Sequence, residues 1–334
     1  MPVRIAVLGA GRIGRLHAEV IEHQVAGAGV SCVYDAVPAA SAAVAAELGV
    51  RAAPTLDEVL GPDVDAVAIC SSTDTHVAFI EAAAGSSKAI FCEKPLSLDV
   101  GRIDHALAAV ARAGVPLQVG FNRRFDPSHR SVRDAVVDGT VGDVHLVRIT
   151  SRDPSPPPLE YVRTSGGIFL DMTIHDFDMA RFITGSEVAE VYAQGAVRID
   201  PVIGDVGDVD TAVVVLRHEN ECITTIDNSR KAVYGYDQRV EAFGSHGVAS
   251  SENPLAHCGV RRIASGTTLP PLPEFFVDRY YKSYVREWEA FVRYVHDGGP
   301  SPVSGADGRA PLLIGLAALR SLERHAPVEV KEIG

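Results

Sequence analysis

The chain has 334 residues, which at about 150 residues per domain predicts two domains. Lys and Arg number 31 against 43 Asp and Glu, and the resulting net charge of −12 argues against a nucleic-acid partner, which needs a positive footprint. Hydrophobic residues at 46% and charged residues at 22% exclude disordered, collagen-like and coiled-coil chains, and a chain this long needs no disulfide or metal staple.

The first third alternates short apolar runs with helical patterns. Val3–Leu8 reads as a strand, Ile13–His23 as a helix, Val30–Tyr34 as a strand and Pro38–Leu48 as an Ala-rich helix. Ala66–Cys70, Ala89–Cys92 and Val115–Gly120 read as further strands, separated by helices at His76–Ala84 and Asp99–Ala113. Continuously apolar strands separated by helices predict a parallel sheet covered on both faces. This is a doubly wound α/β domain ending near Gly120 or Phe121, so the predicted division is 1–121 and 122–334.

The pattern then changes. Asp153–Leu159 is Pro-rich and reads as a rigid loop at the edge of a site. Val144–Thr150, Val188–Val197, Thr211–Arg217, Cys222–Asp227 and Arg239–Phe243 are strand-like and mostly not interleaved with helices. They predict an α+β second domain with a large, open, mostly antiparallel sheet. Helical patterns cover Ile168–Ile183, Arg279–His296 and Asp307–His325.

The longest apolar runs are far too short to span a membrane, and the first residues enter a strand pattern with no signal-peptide region. Cys32, Cys70, Cys92, Cys222 and Cys258 are scattered, with no Cys-x-x-Cys, and read as reduced thiols of a cytoplasmic protein.

Gly9-Ala10-Gly11-Arg12-Ile13-Gly14 is a GxGxxG segment that follows a strand and opens a helix. Gly9 permits the turn, Gly11 lets backbone approach a pyrophosphate, and Gly14 lets helix and strand pack closely. Asp35 stands 21 residues beyond Gly14, at the end of the next strand. Its carboxylate suits ribose hydroxyls and repels a 2′-phosphate, so NAD is expected rather than NADP, with FAD a lesser rival. Ser71, Thr73 and His76 follow the strand Ala66–Cys70 and are expected to line the cofactor groove, although Thr73 or Asp74 could instead cap a helix.

Glu93-Lys94-Pro95 stands at a strand end, where a lysine can reach the chemistry. In Gly166-Gly167-Ile168-Phe169-Leu170-Asp171-Met172-Thr173-Ile174-His175-Asp176, Asp171 and His175 stand four apart and on one helix would share a face. A carboxylate beside an imidazole orients it and supports its charged form, as a base in alcohol oxidation needs. An ordinary helix ion pair is the alternative. No second His-rich segment completes a metal site.

These segments, with Gly120-Phe121-Asn122-Arg123-Arg124-Phe125-Asp126, Tyr234-Gly235-Tyr236-Asp237 and a closing Pro302–Gly308 stretch, occur in one order. The whole chain resembles the glucose–fructose oxidoreductase/inositol dehydrogenase/rhizopine catabolism (Gfo/Idh/MocA) family. The resemblance implies an N-terminal Rossmann domain and a C-terminal domain whose sheet supports a homodimer or homotetramer. It implies Lys94, Asp171 and His175 as the catalytic set, and it leaves open whether Lys94 or His175 is the proton acceptor. Glu93 and Asn122 join the cofactor side. It also implies a small-molecule polyol substrate and NAD-dependent oxidation of a cyclitol ring hydroxyl, myo-inositol going to its 2-keto product, scyllo-inosose. Scyllo-inositol, another cyclitol or a pyranose is the alternative substrate, and an NAD-binding regulator the alternative class. A neutral ring of hydroxyls calls for many hydrogen bonds. Arg124, Asp153, Thr173, Tyr234 and Tyr236 are the expected substrate contacts beside the catalytic set, unless Arg124 pairs with Asp126 and the tyrosines are core.

Overall fold

The apolar runs of the first third become six strands: β1 (Val3–Leu8), β2 (Ala28–Tyr34), β3 (Arg51–Ala52), β4 (Ala66–Ile69), β5 (Ala89–Glu93) and β6 (Leu117–Gly120). The helices between them are α1 (Arg12–Gln24), α2 (Pro38–Leu48), α3 (Leu56–Val59), α4 (Thr73–Gly85) and α5 (Val100–Ala113). The sheet order is β3-β2-β1-β4-β5-β6, with every pairing parallel. The order reverses between β1 and β4, and ligands of such sheets bind off the carboxyl ends of the strands at that switch point. The computed structural model describes residues 1–334.

Two compact units make up the chain. The first is Met1–Asn122 with Lys282–Ala310, the second Arg123–Tyr281 with Pro311–Gly334. This corrects the expected simple division at 121/122. The reason is packing: Trp288 and Phe291 are fully buried against Phe91 of β5, so this late segment completes the core of the first unit.

The second unit continues with α6 (Pro127–Val137), β7 (Val144–Arg152), α7 (Leu159–Ser165), α8 (Gly167–Asp171), α9 (Ile174–Thr184), β8 (Val188–Ala196) and α10 (Pro201–Asp205). Next come β9 (Thr211–His218), β10 (Ile223–Ser229), β11 (Asp237–Gly244), β12 (Gly247–Ser251) and a small hairpin of β13 (Arg261–Ile263) and β14 (Gly266–Thr268). The chain ends in α11 (Phe276–Asp297), α12 (Gly305–Arg324) and β15 (Val328–Glu329). The large sheet has the order β12-β11-β7-β10-β9-β8-β15. Only β7 and β10 pair in parallel, as the sequence pattern of a mostly antiparallel sheet predicts.

Period-two alternation divides this sheet into two faces. Val147, Ile149, Val214, Leu216, Ile226 and Val240 are buried in one core with Phe177, Ala180 and Ile183 of α9 and Ile314, Ala317 and Ala318 of α12. On the opposite face Val213, Val215, Ile223, Phe243 and Val248 are exposed. The register places Phe243 beside Leu146 and Leu146 beside Ile223, so this apolar face is continuous across strands.

The predicted helix Ile168–Ile183 is broken. Met172 and Thr173 form a turn between α8 and α9, and the N–H groups of both donate to the Ile168 carbonyl. Asp171 therefore ends one helix while His175 lies at the start of the next, so the two are not on one uninterrupted helix. No helix is long and apolar enough to cross a membrane.

Candidate active site

The glycine loop is sterically determined. Gly9 has φ +103°, and a Cβ there would stand 2.6 Å from the Cys70 carbonyl and the Ser71 nitrogen. A Cβ on Gly14 would collide with the Gly9 carbonyl, whereas one on Gly11 would meet nothing within 4 Å. Gly11 thus faces open space at the start of α1. That helix has no side-chain cap and no acidic residue in its first turn, so its N–H groups and dipole are available to an anion. Arg12 is exposed and Ile13 half-buried in the same turn.

Asp35 lies just beyond β2. Its Oδ2 accepts the Ala10 N–H at 2.7 Å and its Oδ1 the Val37 N–H at 2.8 Å. Each oxygen keeps a further lone pair for ribose hydroxyls. Ser71 and Thr73 are half-buried at the carboxyl end of β4, and the Ser71 hydroxyl meets that of Thr75 at 2.7 Å. Ser72, not Thr73 or Asp74, occupies the cap position of α4. Asn122 is buried, and its Nδ2 has no hydrogen-bond partner within the protein. Such an orphaned donor, with the open Gly11 cradle, fits a bound dinucleotide.

His76 is placed differently from expectation. It is buried, with Nδ1 2.9 Å from the Pro95 carbonyl and Nε2 3.0 Å from the Ser71 carbonyl. Burial lowers its basicity below the usual imidazole range, although both carbonyls oppose this. Its ring therefore ties the Ser71 loop to the Lys94–Pro95 turn rather than lining the groove. Lys94 is half-buried just after β5, and its N–H donates to Glu93 Oε2 at 3.1 Å.

In the second unit, Asp171 is held from two sides. Tyr161 donates to its Oδ1 at 2.8 Å, and Arg230 stands 3.6 Å from its Oδ2. Arg230 is itself fully buried, with Asp208 also at 3.6 Å. Asp208 accepts the Ile168 N–H at 3.0 Å, and a Cβ on Gly167 would stand 2.7 Å from it, which explains the glycine before α8. Burial pushes the half-buried Asp153 carboxyl up to about 6, against the pull of Arg123 and Arg230 and with Asp171 adding repulsion. Tyr236 is buried within the field of Arg123 and Asp153, and burial pushes its hydroxyl up. Asp153, Asp171 and Tyr236 thus share one electrostatic neighbourhood.

His175 is positioned by its helix. The neighbouring Asp176 is buried and accepts Arg123 Nη1 at 2.7 Å and Asn228 Nδ2 at 2.8 Å. Asn228 Oδ1 accepts the Thr173 hydroxyl at 2.7 Å. Thr173 is fully buried, and its hydroxyl anchors the turn between α8 and α9. The Tyr234 hydroxyl donates to Asp237 at 2.7 Å and accepts from Arg152 at 2.9 Å. Arg124 grips Asp178 with Nε at 2.8 Å and Nη2 at 2.6 Å, and Asp126 pairs with Arg279. Tyr161 and Arg230 were not singled out from the sequence. Neither belongs to a motif, and the Arg230–Asp171 approach joins residues far apart in the chain.

The sheet order, open glycine cradle and fastened acidic residue define a dinucleotide-binding oxidoreductase domain. The chain belongs to the GFO/IDH/MocA oxidoreductase family: residues 3–121 match its "Oxidoreductase family, NAD-binding Rossmann fold" domain and residues 129–250 its C-terminal domain. NAD is the cofactor. The chain is 47% identical to the myo-inositol 2-dehydrogenase of Thermotoga maritima over 333 residues, 99% of each chain. It is 46% identical to the inositol 2-dehydrogenase of Rhizobium meliloti, across 99% of this chain and 100% of that one. A crystal structure of scyllo-inositol dehydrogenase from Lactobacillus casei, with bound NAD(H) and scyllo-inositol, superposes with a TM-score of 0.93 at 30% identity, covering 99% of this chain and 100% of that one.

Proposed function

We propose that the protein is an inositol 2-dehydrogenase that oxidises the axial hydroxyl of myo-inositol to a ketone, producing scyllo-inosose, NADH and a proton. The observation that carries this reading is the end-to-end 47% identity to an enzyme named myo-inositol 2-dehydrogenase. The acceptor-rich neighbourhood of Asp153, Asp171 and Tyr236 supports it, because a neutral polyol is recognised by groups that accept and donate many hydrogen bonds.

NAD supplies the hydride acceptor for the substrate carbon. In the proposed mechanism His175 takes the hydroxyl proton and Lys94 hydrogen-bonds the reacting oxygen. Asp171, braced by Tyr161 and Arg230, orients the imidazole and supports its charged form. Asp153, Tyr236 and the Arg124–Asp178 pair are the proposed ring-hydroxyl contacts. Scyllo-inositol is the second reading, favoured by the likeness to the Lactobacillus casei complex.

We place the enzyme in the cytoplasm, where NAD is available and its buried cysteines stay thiols. The exposed apolar sheet face of Val213, Val215, Ile223, Phe243 and Val248 supports pairing of copies, with a homotetramer as the proposed assembly.

The test is NADH formation with NAD or NADP against myo-inositol, scyllo-inositol, D-chiro-inositol and glucose. NAD with myo-inositol is expected to give the highest kcat/KM. A higher value with any other polyol replaces the substrate. Turnover unchanged in both Lys94→Ala and His175→Ala would remove the mechanism.

A further inference from the structure

Behind Lys94 lies a buried chain of hydrogen bonds made wholly within the first unit. Trp288 Nε1 donates to His17 Nδ1 at 2.8 Å. His17 Nε2 meets Glu93 Oε1 at 2.7 Å. Glu93 Oε2 accepts the Lys94 N–H at 3.1 Å. His17 and Trp288 are fully buried, and Glu93 nearly so.

The direction of this chain follows from donor chemistry. An indole N–H only donates, so His17 Nδ1 must be an unprotonated acceptor. The proton of the neutral ring then sits on Nε2 and is donated to Glu93. The indole thereby sets the tautomer of the imidazole, and the imidazole holds the carboxylate. Packing allows little else. The Trp288 and Phe91 rings stand 4.4 Å apart, and a Cβ on Gly120 would lie 3.1 Å from the Glu93 carboxyl carbon. Glu287 is fully buried beside Trp288 on α11, with no hydrogen-bond partner on either oxygen, and burial together with Glu93 raises its carboxyl well above the usual range.

We propose that Trp288 and His17 are positioning residues for Lys94, acting through Glu93: the indole sets the imidazole tautomer, and the imidazole fixes the carboxylate that pins the lysine backbone. The inference rests on the reading of Lys94 as part of the catalytic set. Replacing the indole by a phenyl ring leaves His17 Nδ1 without its donor, so the ring loses the bond that sets its tautomer and its hold on Glu93. The groups facing that ring are Glu93 from β5 and Tyr284 from α11, with Glu287 also on α11 and the buried thiols Cys70 and Cys92 near Glu93.

Trp288→Phe is expected to lower kcat roughly tenfold or more while leaving the Kd for NAD within about twofold, since small misplacement of a reacting group is costly. In the parent protein, selectively 15N-labelled histidine should show His17 as the Nε2–H tautomer, a measurement that needs no variant to fold. An Nδ1–H tautomer of His17, or an unchanged kcat in Trp288→Phe, would overturn the proposal. Lys94→Ala separates the two readings: retained turnover there removes Lys94 from the catalytic set, whereas its loss beside an unaltered Trp288→Phe enzyme removes only the positioning role.

Discussion

The Asp35 carboxylate accepts the Ala10 N–H at 2.7 Å, so the acidic residue after β2 is fastened to the glycine loop beside which it works. A fixed carboxylate gives ribose hydroxyls a ready acceptor and meets a 2′-phosphate with a charge that cannot swing away. Asp35→Ser should therefore lower kcat/KM for NAD by roughly ten- to a hundredfold, the scale of losing charge-assisted hydrogen bonds, and raise it for NADP. Steady-state kinetics with both cofactors checks this. An unchanged NAD:NADP ratio would refute the role of Asp35.

Asp153 should impose a pH dependence on substrate capture. Burial raises its carboxyl to about 6, so it gains charge as pH rises through that value. As a carboxylate it accepts hydroxyl hydrogen bonds from both oxygens, and as an acid it loses acceptor capacity. The kcat/KM for the polyol should rise between about pH 5 and 7 and then level off. Asp153→Asn, which cannot titrate, should lose that limb. Its persistence would assign the limb to another group.

Arg124 and Asp178 form a buried ion pair, with the face of the guanidinium 5.3 Å from the Phe182 ring centre. Arg124→Met removes the guanidinium and leaves the Asp178 carboxylate buried, which should cost about 3–5 kcal/mol. Adding Asp178→Leu should recover much of that loss, because the uncompensated charge is then gone. Urea unfolding of the two single variants and the double variant measures this. A loss in Arg124→Met below about 1 kcal/mol would class the pair with exposed salt bridges.

His129 is buried between Ser251 and Tyr280, with Nδ1 2.8 Å from the serine hydroxyl and Nε2 3.3 Å from the tyrosine hydroxyl. Burial lowers its pKa to about 3, although Asp126 opposes the shift. The folded state thus binds fewer protons than the unfolded chain below pH 6.5. Its contribution to stability is present above that value and is lost as pH falls toward 3, at about 1.4 kcal/mol per pH unit. His129→Gln should lower stability at neutral pH and flatten its decline between pH 6 and 4. Chemical unfolding at several pH values reads the slope, and a slope equal to that of the parent chain would remove His129 as its source.

Local patterns in the sequence carried the first unit. Gly9, Gly11 and Gly14 are read from short spacing, because all three lie within the six-residue stretch from β1 into α1. The β1, β2, β4 and β5 runs are continuous and apolar because both sheet faces are covered. The alternating strands of the second unit were legible for the same reason, with one face buried and the other exposed. The order of the motifs carried the family, and with it NAD.

The tertiary structure decided what depends on partners distant in the chain. Arg124 meets Asp178 because α9 brings that carboxylate to it, and Arg279 meets Asp126. His76 turned inward because the Pro95 and Ser71 carbonyls converge on its ring. The break at Met172–Thr173 arises from a hydrogen bond to Asn228 on β10, which helical periodicity cannot register. Trp288 joined the first unit because His17 and Phe91 offered its indole a partner and a packing surface. Residue type and spacing determined which chemistry the chain carries, since those properties are local. Which buried charges and donors meet was decided only when the folded chain closed loops of many residues, because a buried polar group is stable only beside the partner the fold delivers.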